Sequence, residues 1–122
     1  MALNLIELLS DEKGHPYLET SEVKFRSCNN DLMGEMVKIS EATNCRLTVF
    51  VELPAGFKSA SRIPDRDQIA VVLSGTLRIS AKEDQVKRLE AGGVFRLPQA
   101  ENSTHTLEAI GPEPVRLMVL QA

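Results

Sequence analysis

The chain has 122 residues, 43% of them hydrophobic, with 14 Lys plus Arg against 17 Asp plus Glu. That length fits a single domain, 1–122, able to fold around its own core without disulfides or a structural metal. A net charge of -3 leaves no basic footprint for DNA or RNA, and four Phe, one Tyr and no Trp are too few for a base-stacking platform.

The stretch "NLIELLSDEKGHP" (4–16) predicts a short N-terminal helix. Asn4 is its cap, Glu7 answers three residues on, and Leu5, Ile6, Leu8 and Leu9 form an apolar face ended by Gly14 and Pro16. Residues 1–20 therefore read as helix and arm, and 21–122 as strands broken by turns. The opening lacks a basic region followed by a long apolar run, so no secretory signal is expected. No apolar run reaches the length of a membrane span. Cys28 and Cys45 form no CxxC pair, and two free thiols in a reducing cytoplasm are the expected state.

"EVKFRS" (22–27) and "GEMVKIS" (34–40) are predicted strands. "RLTVFVEL" (46–53) alternates, with Leu47, Val49, Val51 and Leu53 on one face, and "LPAG" stops it. "QIAVVLSGTLRIS" (68–80) is a run of β-formers cut by Ser74-Gly75, a tight hairpin signal. "KEDQ" is a polar turn before "VKRLEAGG", and "VFRLP", "THTLEAI" and "VRLMVLQA" complete the set. Roughly eight or nine short strands at regular spacing predict a small all-β sandwich or barrel.

Residues 56–107 carry a more specific pattern. Gly56 and Gly75 bracket a stretch containing Arg62, Pro64 and Gln68, and 16 residues later Gly92 and Pro98 open a second one. With "QIAVVLSGTLRI" and "LEAGGVFRLP", this resembles the two motifs of the cupin family. The resemblance implies a double-stranded β-helix (jelly-roll) barrel, with motif regions 56–75 and 92–107. In metal-dependent cupins the first motif gives two His and a Glu, and the second a His. Those positions hold Arg62, Pro64, Gln68 and Ser103 here; the second motif's Gly and Asn positions hold Ala100 and Leu107.

Only His15 and His105 are available, so a three-histidine site cannot be built from one chain. Arg62 would repel a divalent cation and Pro64 has no donor atom. No metal and no cofactor are expected. His105 lies two residues past the motif position, and because strand side chains alternate with period two it keeps the inward facing, with Leu107 and Ala109. If Arg62, Gln68 and His105 converge, they make a polar floor in a cup lined by Ala70, Val72, Leu77, Ile79, Phe95 and Leu97. A guanidinium beside an imidazole suits a small carboxylate or phosphate ligand. The plainer alternatives are a solvated loop for "SASRIPDRD", a hydrogen-bonded strand-mouth histidine, and a barrel filled by its own side chains.

Three functions follow. The first is a metal-free cupin that binds a small, anionic organic ligand or acts as an interaction module. The resemblance implies a homodimer paired through edge strands. The second is a metal-independent isomerase or epimerase using His105 as base, for which Tyr17 is the sole tyrosine. The third is a metal enzyme with His105, Gln68 and Glu52 as an unusual ligand set.

Overall fold

The computed structural model describes residues 2–30, 35–82 and 85–122. In chain order the strands are β1 (Asn4–Ser10), β2 (Pro16–Glu22), β3 (Arg26–Asn30), β4 (Glu35–Ile39), β5 (Leu47–Leu53) and β6 (Gln68–Ser74). They continue as β7 (Thr76–Lys82), β8 (Gln85–Leu89), β9 (Val94–Leu97), β10 (Thr106–Ile110) and β11 (Val115–Gln121). A six-stranded sheet runs β2-β1-β9-β6-β11-β5 and faces a three-stranded sheet, β10-β7-β8. A separate hairpin joins β3 and β4. The tip of the β7–β8 turn falls outside the described residues, as does Gly34 of the predicted strand 34–40. The predicted strand 22–27 instead spans the break between β2 and β3.

The predicted N-terminal helix is a strand. Asn4–Ser10 pairs antiparallel with β2 and parallel with β9. Asp11 explains the outcome: its carboxylate accepts hydrogen bonds from the N–H groups of Lys13 (2.9 Å) and His15 (2.8 Å). Gly14, at φ +78°, completes the reversal that sets Ser10 opposite Pro16. The residue types that cap a helix also build this turn, and a helix ended by Gly14 is too short to have much stability of its own. Leu5 and Leu8 are both buried once the strand lies between β2 and β9.

Ser74-Gly75 is likewise not a hairpin. β6 lies in the large sheet and β7 in the small one, so Gly75 is the corner where the chain changes sheets. Its φ is +83°, and a Cβ there would collide with the Pro114 carbonyl oxygen. The following hairpin is the one closed by the polar "KEDQ" turn, β7 with β8.

Inward residues of both sheets meet in one core. Val72, Leu77, Ile79 and Val115 are fully buried and Phe95 nearly so. Each contributes roughly 1.5–3 kcal/mol relative to exposure. On one side β2 approaches β8, where Leu18 N donates to Gln85 Oε1 at 3.3 Å. On the other side residues 57–62 run alongside β10. Ala109 N donates to Phe57 O, Ser59 N to Leu107 O, and Arg62 and His105 exchange both bonds. That ladder leaves a mouth between the segment and β5.

Candidate functional site

The cup opens at this mouth and holds about 220 Å³. The inner face of the large sheet supplies its apolar wall: Val51 of β5, Ala70 of β6, Phe95 and Leu97 of β9, and Leu117 and Val119 of β11. The 57–65 segment supplies Phe57, Ser59, Arg62 and Asp65, while His105 and Leu107 close the side toward β10. Gln68 and Gln121, at the start of β6 and the end of β11, lie opposite each other and share a 3.3 Å hydrogen bond, Gln121 Nε2 to Gln68 Oε1.

Arg62, Gln68 and His105 thus line one cup, with Phe95 behind them. Val72 and Leu77 do not reach it. Both are fully buried between the sheets, Val72 beside the Gly92-Gly93 turn and Leu77 opposite Leu89 and Ala109, where neighbouring side chains fill the space. Ile79 is buried in the same way. The barrel is therefore packed solid at one end and hollow at the other.

His105 is the buried polar group of the cup, 2% exposed. Its Nδ1 lies 3.2 Å from the Ser103 carbonyl oxygen. A carbonyl only accepts, so Nδ1 carries the proton and Nε2 keeps its lone pair. Burial holds the ring's pKa below the usual histidine value. The Ser103 carbonyl, which favours the charged ring, pulls the other way, and the Arg62 charge adds to the lowering. At neutral pH the cup therefore presents a neutral imidazole acceptor, one guanidinium and the exposed carboxylate of Asp65.

The site does not suit a divalent cation. Arg62 stands where a first ligand would be, and Pro64 is buried without a donor atom. The Gln68 carbonyl oxygen is engaged by Gln121, and only one imidazole is at hand. Glu52, grouped by sequence with His105 and Gln68, lies on the outer face of β5 and pairs with Arg116 at 3.1 Å. Among the described residues, no three His, Cys, Asp or Glu side chains gather in a metal-binding cluster. Tyr17 sits on β2 opposite Leu9, away from the cup lining. Glu101 lies in an exposed turn and Glu108 pairs with Arg78 on the outside, so neither supports His105. His15 is in the exposed β1–β2 turn beside Asp11.

Sequence reasoning missed Asp65, Ser59 and Gln121. Gln121 was readable, since it continues the inward alternation of Leu117 and Val119. Asp65 and Ser59 had no such signal, because their placement depends on the 57–62 ladder with β10.

No family profile and no curated protein match the chain. Solved structures do. The cupin domain of Schizosaccharomyces pombe Cnp3 superposes with a TM-score of 0.52 at 19% identity, covering 99% of this chain and 83% of that one. An RmlC-like cupin with a double-stranded β-helix fold from Methanocaldococcus jannaschii gives 0.51 at 13% identity, covering 62% and 67%. A sugar phosphate isomerase of a cupin superfamily from Silicibacter pomeroyi gives 0.50 at 20% identity, covering 62% and 49%. Identities this low speak for architecture and not for activity. With two facing sheets, sheet-changing corners and these neighbours, the chain has the cupin fold, a double-stranded β-helix.

Proposed function

We propose that this protein is a metal-free cupin whose cup binds a small anionic organic ligand. The observation that carries this reading is the pairing of Arg62 with the buried, neutral His105 at the mouth of a hollow whose inner wall on the large sheet is apolar and whose rim also carries Ser59, Asp65, Gln68 and Gln121. A guanidinium offers a carboxylate or phosphate two parallel donors, and the Nε2 lone pair accepts from a ligand hydroxyl or amide. About 220 Å³ is less than the roughly 300–1,000 Å³ of drug-sized sites, so the ligand has few heavy atoms. The free, exposed thiol of Cys45 fits a cytoplasmic location. No helix among the described residues is long and apolar enough to cross a membrane.

A thermal-shift screen of small carboxylates and sugar phosphates tests the reading. A stabilising hit that weakens in Arg62→Ala supports it, and a hit indifferent to Arg62 removes it.

A role as a homodimeric interaction module has its own support in β5. This edge strand holds no Lys or Pro to discourage pairing, and its Phe50 is 73% exposed. Phe50 heads an apolar cross-strand row on the outer face that continues through Met118, Val71 and Val94. A second copy paired along β5 would cover both the open edge and the phenyl ring.

A further inference from the structure

The outer face of the small sheet carries a line of charge that the cup does not use. Lys58 stands opposite Glu108 where the 57–62 segment meets β10. Glu108 stands opposite Arg78 on β7, and Arg78 opposite Arg88 on β8. Leu77, Leu89 and Ala109, the chain neighbours of the last three, are buried, so the charged side chains project to the solvent side. Four adjacent backbones therefore present Lys, Glu, Arg and Arg in a single row.

One ion pair forms within the row, Arg78 Nη1 to Glu108 Oε1 at 3.4 Å. Among the described residues, Lys58 and Arg88 have no carboxylate within reach. Three cations thus share one carboxylate, in a chain whose net charge is -3. Like charges directly across a strand pair are mildly destabilising, so an anion beside Arg78 and Arg88 would relieve a repulsion that Glu108 only partly offsets. The hydroxyl residues Ser61, Ser80 and Thr106 line an open groove of about 530 Å³ beside the row, together with Lys58, Arg78, Lys82 and Glu108, while Arg88 lies outside its lining.

We propose that this row, with the groove beside it that shares only His105 with the lining of the cup, is a second binding site for a phosphomonoester dianion. A phosphomonoester carries about -1.5 to -2 charges at pH 7, which matches the two positive charges left when Lys58, Arg78 and Lys82 of the groove are set against Glu108. Its three free oxygens can take the Arg78 fork and the Lys58 and Lys82 ammonium groups of the groove at once, as a single carboxylate cannot. The flanking hydroxyls supply neutral donors. The phosphate belongs either to a small organic phosphate or to a phosphorylated side chain of another protein.

An NMR titration of the intact protein with inorganic phosphate, at ionic strength held constant with sodium chloride, tests the proposal. Saturable shifts are expected at the amides of Arg78, Ser80, Arg88 and Glu108. Affinity should fall tenfold or more in Arg78→Gln and in Lys58→Gln, both at exposed side chains of the groove. Parallel titrations with glycerol phosphate and a phosphoserine peptide distinguish the sources, the tighter binder naming the ligand. Three results overturn the proposal: no saturation beyond the chloride control, shifts confined to the cup residues, or undiminished affinity in both variants.

Discussion

Arg62 and His105 hold each other by two backbone hydrogen bonds, each 3.0 Å, so their positions at the cup's mouth do not depend on either side chain. Truncating Arg62 therefore removes charge without removing the bridge. Arg62→Ala should leave the melting temperature nearly unchanged and weaken a bound anion about 10- to 100-fold, as charge-assisted bonds are worth roughly 1.5–3 kcal/mol. The same substitution should raise the pKa of His105, because the Arg62 charge is one of the causes that lower it. Calorimetry reads the first effect and an NMR titration of the His105 ring reads the second.

His105 also makes stability depend on pH. Its folded pKa lies below the ordinary value of 6.5, so the unfolded chain takes up a proton first as pH falls. The stabilisation tied to the neutral ring is complete above about pH 6.5 and is lost as pH falls through the folded pKa. Urea unfolding at pH 7.5 and 5.5 should show the loss, and His105→Gln should show a smaller one. An equal loss in both proteins would assign the effect to other groups.

Gly75→Ala should destabilise by at least about 2 kcal/mol, the sum of a left-handed backbone penalty and displacement of the Pro114 carbonyl. Denaturant midpoints check this. A loss under about 0.5 kcal/mol, the range of neutral surface changes, would mean the corner is looser than its geometry.

Leu77→Ala should cost about 2–5 kcal/mol, as for other fully buried leucines. It should leave the affinity of the cup ligand unaltered, because Leu77 fills the solid end of the barrel. An affinity change of tenfold or more would show that the two ends are coupled.

Phe50→Asp places a charge at the head of the apolar row, midway along β5. If a second copy covers that strand, sedimentation equilibrium should show a dimer for the parent protein and a monomer for the variant. A monomeric parent would remove the dimer reading and leave the cup untouched.

The barrel was legible because its signals are local. Alternation in "RLTVFVEL" and "VRLMVLQA" names the faces of β5 and β11 whatever they pair with. The inward facing of His105 followed from the same period of two. Other features were hidden because they are set by distant partners. The helix signal in 4–16 was a matter of capping residues that serve equally in a turn, and the Asp11 turn with the ladders to β2 and β9 decided the outcome. Gly75 marks a reversal in either architecture, and only the Pro114 backbone pressed against it distinguishes a corner from a hairpin. Asp65 entered the cup through a ladder between segments far apart in sequence, which composition cannot reveal. Val72 and Leu77 had the right periodicity for the cup but the wrong depth, since alternation names a face and not a height along the barrel.

The parallel ladder that sets Leu5 against Val94 has a kinetic consequence. Strand β1 must wait for β9, because its place in the large sheet exists only once β9 has emerged. Until then β1 has only β2 beside it, and an isolated two-stranded ribbon is marginal in water. Completion should consequently be slow for so small a barrel, limited by closing that long loop. Nascent chains halted before Val94 should remain protease-sensitive, however well their early hairpins form.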